Sequence, residues 1–308
     1  MKTFNKMRNE KGEMRNCFFS SASLVLSAFC FLLSSCSQDE VFEQDSLKDT
    51  PITIASAGVA ELTTRVITDD NKLEGIMNEE SAHMGVFVTG GSADKYNATN
   101  MHWQHDGDHW DCTRTVLFEG ASSQQKIYAY SPFFFDSTGS IAVNASEQTD
   151  WLVATATDLT SSVVELTMTH ALAKLVLKPT FGNEVEESQC NIAKVEVGDM
   201  YASGTLNISD NKWSNLPEAN TTLEMKNNEV LIIPMSNCTS YPIIITMSDG
   251  RKFKTTINLT TVDNMLGAGA QYNLHIQVGQ DKVTVEQIST SDFDSPFGDG
   301  WNNENDLK

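Results

Sequence analysis

The sequence has few basic residues and few cysteines, and it contains none of the short motifs that mark common catalytic or nucleotide sites. Its 308 residues include 21 Lys and Arg against 41 Asp and Glu, for a formal net charge of −20. A surface this acidic repels nucleic acid and anionic lipid, so the charge excludes a nucleic-acid-binding function. GxSxG, HExxH, a Walker loop and a GxGxxG after a strand are all absent. We therefore expect no enzymatic activity and no cofactor.

The sequence also lacks an apolar run long enough to cross a membrane. Its longest run, Leu24–Leu33, has ten residues, whereas a transmembrane helix needs roughly 20. Basic residues precede the run and LSSC follows it, ending at Cys36, as in a secretory signal. LSSC resembles a bacterial lipobox, in which the cysteine receives diacylglycerol and becomes the first residue. A plain signal peptide that is cut just before an incidental cysteine is the alternative.

The residues after Cys36 are typical of a solvated tether. Residues 37–50 carry five acidic side chains and one Lys, with little apolar surface to bury. Removal of residues 1–35 takes away five basic and two acidic residues, which leaves a net charge of −23 on the mature chain. Because each buried methylene contributes about 0.8 kcal/mol, the two or three acyl chains of a lipobox cysteine predict lasting attachment to a membrane.

The rest of the chain is typical of an all-β protein. Short runs rich in Val, Ile, Thr and aromatic residues alternate with Gly, Asp and Asn, and no long window has helical periodicity. Ten strands are predicted, at 51–55, 84–88, 125–130, 163–169, 172–178, 193–197, 229–233, 242–247, 252–259 and 272–278. Regularly spaced strands with turn residues between them favour β-sandwiches. The Ser- and Thr-rich stretch at 154–162 is the predicted passage between two domains.

Two hairpins are predicted from Asp-Gly pairs. The first turns at Asp249-Gly250, between an apolar run and an alternating one. The second turns at Asp106-Gly107, and a two-residue loop there places Trp103 opposite Trp110. We expect these tryptophans, together with Tyr96 and Trp213, to pack in the core rather than to stack on sugars.

Histidine and cysteine residues do not form a convincing metal or redox pattern. His102, His105 and His109 lie within eight residues, but the predicted hairpin puts His105 on the opposite face, and two ligands cannot close a tetrahedral site. The spacing of Cys112, Cys190 and Cys238 matches no zinc or redox motif. We therefore expect no bound metal and three thiols that act as small apolar side chains. His170 lies beside apolar residues and is expected to pack in the core. A loop from Asp292 departs from the calcium-binding pattern at several positions.

An ordered series of blocks makes the mature chain resemble the Bacteroidales fimbrillin family, the Mfa-like subunits of type V pili. In chain order the blocks are Thr64-Arg65, HMGVFV, Asp106-Gly-x-x-Trp110, IYAYSPFF, WLVATAT, VELTMTHALAKLVL, SDGRKF and GAGAQYNLHIQV. HALAKL and Gly-x-x-Tyr are the most distinctive of them. The chain departs from the family where MNEESA replaces the usual Trp and Gly-Asp before HMGVFV.

The resemblance implies two transthyretin-like, Greek-key β-sandwich domains in tandem. On that basis the chain divides into a lipoprotein signal peptide (1–35), an acidic tether (36–50), an N-terminal sandwich (51–160) and a C-terminal sandwich with a donor strand and tail (161–308). It also implies that a trypsin-like surface protease cuts after an Arg and removes the first strand. Arg65 is the first Arg of the mature chain and follows ITIASAG, so it is the predicted cleavage site.

The groove left by the first strand is then expected to accept a strand from the next subunit. The predicted donor is DKVTVEQIS, in which Val283, Val285 and Ile288 fill the pockets. The implied function is that of a structural pilus subunit on the outer membrane, later in the fimbrium, which supports adhesion. Its expected partners are other fimbrillin subunits, lipoprotein-processing enzymes that act on Cys36, and the surface protease. The alternative is a tip adhesin or a glycan-binding surface lipoprotein that does not polymerise.

Overall fold

The computed structural model describes residues 47–59, 82–185 and 191–292. The described residues form eighteen strands and a few single 3-10 turns, so the predicted all-β class is confirmed. The strands are β1 Thr53–Val59, β2 His83–Thr89, β3 Ala98–His105, β4 Trp110–Cys112, β5 Lys126–Ser131, β6 Ser140–Asn144, β7 Leu152–Asp158, β8 Val163–His170, β9 Ala173–Phe181, β10 Ile192–Met200, β11 Ser203–Asn207, β12 Lys212–Ser214, β13 Thr221–Glu224, β14 Glu229–Ile232, β15 Ser240–Met247, β16 Lys252–Asn258, β17 Ala270–Val278 and β18 Val283–Asp292.

The N-terminal part of the chain builds one seven-stranded sheet in the order β1-β8-β7-β5-β2-β3-β4. Its pairs are antiparallel except for β1 and β8, which run parallel. Apolar side chains alternate along β3, where Met101 and Trp103 are buried, Asn100 is partly buried, and His102 and Gln104 are exposed. Such alternation buries one face of a strand and leaves the other in water. These inward side chains form a distinct apolar cluster with Ile127, Leu166 and Phe118.

The C-terminal part builds two four-stranded sheets, in the orders β13-β10-β15-β16 and β14-β9-β17-β18. A third sheet, β12-β11-β6, pairs residues 203–207 with residues 140–144. A second apolar cluster contains the inward side chains of these sheets, among them Leu175, Ile243 and Leu274. The first five residues of β9 are all buried, in keeping with its position between β14 and β17, whereas the last four are exposed or partly buried.

All ten predicted strands are present, with ends that differ by a few residues. The predicted domain boundary near residue 160 falls between β7 and β8, which pair with each other in the seven-stranded sheet. The first half of the Ser- and Thr-rich stretch is strand β7. The division into two transthyretin-like domains stays a prediction.

One predicted hairpin is confirmed and the register of the other is wrong. Thr246 pairs with Lys252, and Asp249-Gly250 forms the turn between β15 and β16. In the other hairpin His105 pairs with Trp110, so residues 106–109 form the loop. Trp103 therefore lies opposite Cys112 rather than Trp110.

The longer loop has a local cause in the Asp106 side chain. Its Oδ1 accepts hydrogen bonds from the backbone N–H groups of Asp108, at 3.0 Å, and His109, at 2.8 Å. The Asp106 N–H in turn donates to the carbonyl of His109, at 3.1 Å. A side chain that closes the turn on itself favours this arrangement over a two-residue turn.

Candidate functional site

The first described strand, β1, is the terminal strand of the seven-stranded sheet and contributes directly to its core. Ile52, Ile54, Ala57 and Val59 are buried, and the two isoleucines are each 4% exposed. They pack with the buried side chains of the N-terminal cluster. The sheet register shifts between Ile54 and Ser56, which lets the inward side chains continue past an irregular residue.

The residues just before β1 are hydrogen-bonded to a second segment of the chain. The N–H of Asp49 donates to the carbonyl of Phe118 at 2.8 Å, and the N–H of Phe118 donates to the carbonyl of Thr50 at 2.9 Å. The N–H of Ile52 donates to the carbonyl of Val116 at 2.9 Å. The chain from Asp49 to Val59 is thus held by backbone bonds to residues 116–118 and to β8.

A charged contact at the surface adds to this attachment. Lys95 Nζ lies 2.6 Å from Asp49 Oδ1, and the Tyr96 hydroxyl donates to the same oxygen at 2.8 Å. The hydrogen bond from Lys95 lowers the pKa of Asp49, and the Tyr96 hydroxyl lowers it further. The hydrogen bond to Asp49 raises the pKa of Lys95. Since both charges are half exposed, their contribution to stability is small.

The last described strand, β18, lies at the edge of the sheet β14-β9-β17-β18 and pairs antiparallel with β17. The predicted donor residues Val283, Val285 and Ile288 are partly buried and pack against the C-terminal core. The register shifts where His275 pairs with Gln287 and Ile276 pairs with Val285. Residue 286 is the extra residue, and the shift keeps all three apolar side chains on the core side.

Two predicted site residues lie outside the described part of the chain. These are the lipidation residue Cys36 and the cleavage residue Arg65. In the sequence, Arg65 follows the last residue of β1, Val59, by six positions. Cys190 also lies outside the described residues, whereas Cys112 and Cys238 are both free thiols.

The aromatic side chains that were considered for sugar stacking are buried or partly buried in the fold. Trp103, Trp110 and Tyr96 are each 5% exposed. Trp213 is partly buried, and its indole N–H donates to the carbonyl of Ala171 at 3.1 Å. The expectation of core packing is confirmed for these rings.

The histidines are arranged differently from the predicted cluster. His105 is buried, while His109 lies in the exposed loop beside Asp106. His102 instead contacts His83, which was not predicted from the sequence. His83 Nδ1 lies 2.9 Å from His102 Nε2. Burial lowers the pKa of His83 and the neighbouring imidazole lowers it further, while burial also lowers the pKa of His102. In the described ranges, no group of three or more His, Cys, Asp and Glu side chains is placed to hold a metal.

His170 packs in the core, as predicted, and its polar atom is satisfied there. Its Nδ1 lies 2.9 Å from Asp150 Oδ2, and both side chains are buried. Asp150 comes just before β7 and His170 ends β8, so the pair joins two strands of the same sheet. The partner Asp150 could not be read from the sequence because it lies 20 residues away.

Comparison with known proteins gives the chain a family context. A family model described as fimbrillin-like matches residues 64–292. No curated protein matches the chain. Over the part of the chain that the structure describes, no helix has the length and hydropathy of a membrane span.

Several solved structures share the fold. A provisionally assigned cell adhesion protein of Bacteroides ovatus is 16% identical, with a TM-score of 0.59 over 80% of this chain and 98% of that one. A similar protein of Bacteroides uniformis is 15% identical, with a TM-score of 0.58 over 79% and 97%. The C-terminally truncated tip fimbrial protein Mfa3 of Porphyromonas gingivalis is 10% identical, with a TM-score of 0.50 over 79% and 100%. At these identities the likeness shows a shared fold.

Proposed function

Because the chain belongs to the fimbrillin-like family of pilus subunits, we propose that it is exported as an outer-membrane lipoprotein and assembled by protease-triggered strand exchange. Lipid on Cys36 anchors the precursor, and a trypsin-like surface protease cuts after Arg65. The cut releases residues 36–65 and with them β1. The role is structural and adhesive, without catalysis, and the partners are further fimbrillin subunits.

The observation that carries the proposal is the position of β1. It is a terminal strand whose buried side chains fill the N-terminal core, and the candidate cut follows it closely in the chain. Its removal exposes the backbone edge of β8 and empties the pockets of Ile52, Ile54 and Val59. An unpaired edge beside empty apolar pockets is a template for an added strand.

The energy available for refilling these pockets is substantial. Fully burying one aliphatic side chain contributes roughly 1.5–3 kcal/mol. Ile52 and Ile54 are both almost fully buried, so even these two positions provide a strong drive to bind a donor. The restored backbone hydrogen bonds to β8 add to this drive, because unpaired buried groups are costly.

We propose β18 as the donor strand. Val283 and Val285 alternate with the exposed Thr284 and Glu286, as a half-buried strand requires. In the free subunit β18 is already paired with β17, so donation exchanges one strand partner for another. Head-to-tail donation does not close on itself, and therefore a filament grows.

Acyl labelling tests the anchor. Replacing Cys36 with Ala should abolish labelling by radioactive palmitate and move the protein out of the membrane fraction. Cys30→Ala is the matched control, because it changes a cysteine of the same apolar region without touching the lipobox. Unchanged labelling of the Cys36→Ala variant would refute the lipoprotein assignment.

The amino terminus of the surface-exposed form tests the cut. The proposal predicts that the protease-cleaved subunit begins at Val66, and that Arg65→Ala leaves the longer precursor. Lys72→Ala is the control, because Lys72 is the next basic residue along the chain. A cleaved form that begins elsewhere, or that still begins at Val66 in the Arg65→Ala variant, would overturn the assignment of Arg65.

A further inference from the structure

His83 and His102 lie on β2 and β3, strands that pair with neither β1 nor β18. On the antiparallel strands β2 and β3, His83 is opposite Gln104 and His102 is opposite Gly85. The two histidines are therefore diagonal neighbours on one face of the sheet. Their facing nitrogens, Nδ1 of His83 and Nε2 of His102, are 2.9 Å apart. Across this strand pair the two imidazoles therefore face each other.

Neighbouring groups hold both residues in place. The ring of Phe133 stacks on the His102 ring, with centroids 4.2 Å apart and planes inclined by 20°. The hydroxyl of Ser131 donates to the backbone carbonyl of His83 at 2.8 Å. His102 is exposed and His83 is half-buried, so solvent reaches the pair. Positioned ligands lose less conformational freedom when they bind.

The distance between the two nitrogens can be compared with the distances that each coordination geometry requires. With metal–nitrogen bonds of 2.0–2.1 Å, nitrogens 2.9 Å apart subtend an angle of about 90° at a shared ion. A tetrahedral ion would require the same nitrogens to be about 3.3 Å apart. Right angles between neighbouring ligands are typical of the tetragonal sites of Cu(II) and Ni(II), and Cu(II) binds nitrogen ligands most tightly among the divalent ions of its row.

We propose that His83 and His102 form a surface site for a tetragonal divalent transition-metal ion, with Cu²⁺ as the preferred ion. The ion replaces the hydrogen bond between the rings with two metal–nitrogen bonds. The imidazole that donates this hydrogen bond moves its proton to its other ring nitrogen, so both rings stay neutral. Water completes the coordination, as the open side of the pair allows.

His105 and His109 take no part in this site. His105 is buried on the other face of β3, and the ring of His109 lies beside Asp106 in the loop. The proposed site therefore differs from the three-histidine cluster that the sequence suggests. It pairs one member of that cluster with a histidine 19 residues earlier in the chain.

Calorimetric titration with Cu²⁺ tests the site. The protein is the full mature chain, residues 36–308, carrying Cys36→Ser to prevent acylation and bearing no affinity tag. We expect one ion per chain, with affinity at least tenfold weaker in His83→Gln and in His102→Gln. His109→Gln is the matched control, because it removes an exposed histidine from the same hairpin, and it should bind as the wild type does. Binding that is equally tight in the wild type and in the His83→Gln/His102→Gln double variant would overturn the proposal.

Electron paramagnetic resonance of the Cu²⁺-loaded wild type provides a test that needs no variant. The proposed site predicts a tetragonal spectrum with splitting from two imidazole nitrogens. A spectrum without imidazole nitrogen coupling would refute the site. Melting curves of each variant in metal-free buffer should match the wild type, because His102 is exposed, His83 is only half-buried and Gln keeps a polar side chain at both positions. A variant that melts earlier leaves the spectrum of the wild type as the deciding observation.

Discussion

At the scale of single residues, a specific partner satisfies some of the polar side chains in the core. His170 and Asp150 illustrate this, because the imidazole nitrogen meets the carboxylate at 2.9 Å in the interior. A buried carboxylate that loses its partner keeps the cost of its desolvation, whereas the pair as a whole contributes little net stability. The pair therefore specifies how the start of β7 and the end of β8 meet.

Removing the imidazole should be strongly destabilising. His170→Ala leaves Asp150 buried without this partner, and we expect the free energy of unfolding to fall by about 3–5 kcal/mol. Urea denaturation followed by circular dichroism measures the change. His109→Ala, which truncates an exposed histidine, should change the stability by less than about 0.5 kcal/mol. A loss below about 1 kcal/mol for His170→Ala would contradict the role given to the pair.

The two described cysteines should react slowly as thiols. Burial raises the pKa of Cys112 and of Cys238 above the ordinary value of 9.0. Because the thiolate is the nucleophile, its population stays small until the pH exceeds that value. A chain carrying Cys36→Ser and Cys190→Ser should thus react with a disulfide reagent at pH 8 far more slowly when folded than in denaturant. Equal folded and unfolded rates would contradict the burial of these thiols.

The contacts of single residues could be predicted less reliably than the strands. Runs rich in Val, Ile, Thr and aromatic residues between turn residues made ten of the strands visible, because these side chains suit the pleated surface of a sheet. The partners of His102 and His170 depend on which strands pair and in what register, and a single sequence does not contain that information. The loop at Asp106 was misread because its side chain bonds to the backbone two and three residues later, which lengthens the turn.

At the scale of elements, β1 is held by its side chains and by two sets of backbone hydrogen bonds. Its parallel pairing with β8 and the antiparallel contacts of residues 49–52 with residues 116–118 both end at or before Val59. The strand was predicted from ITIASAG, but its parallel partner was not. Since these contacts all involve residues up to Val59, a cut in the chain after β1 leaves the strand held by noncovalent contacts alone. It can then be removed as a unit.

Shortening the inward side chains of β1 should weaken its attachment. Ile54→Ala leaves a cavity in the N-terminal core, and we expect a loss of about 2–5 kcal/mol in the free energy of unfolding. Thr53→Ala, on the exposed side of the same strand, should cost less than about 1 kcal/mol. Chemical denaturation of both variants measures the difference. Equal losses would show that the side chains of β1 do not anchor it.

At the scale of the whole molecule, the proposed assembly combines two edge strands. One of them, β1, is removed, and the other, β18, is donated. β1 ends the N-terminal sheet and β18 ends a C-terminal sheet. The all-β class was predicted from short runs of Val, Ile, Thr and aromatic residues, and the membership of the fimbrillin-like family was predicted from the order of the sequence blocks. The proposed strand exchange connects two copies of the chain, and a single sequence indicates it only through the resemblance.

Polymer formation after trypsin treatment is the most direct test of this account. Delipidated wild-type protein is compared with Arg65→Ala and with a donor variant, Val283→Ser/Val285→Ser/Ile288→Ser, whose matched control is Thr284→Ala/Glu286→Ala on the exposed face of β18. The samples are run on a denaturing gel without boiling. The account predicts ladders from the wild type and the control alone. It would be contradicted by a wild type that stays monomeric after cleavage at Arg65, or by ladders from either the Arg65→Ala or the donor variant.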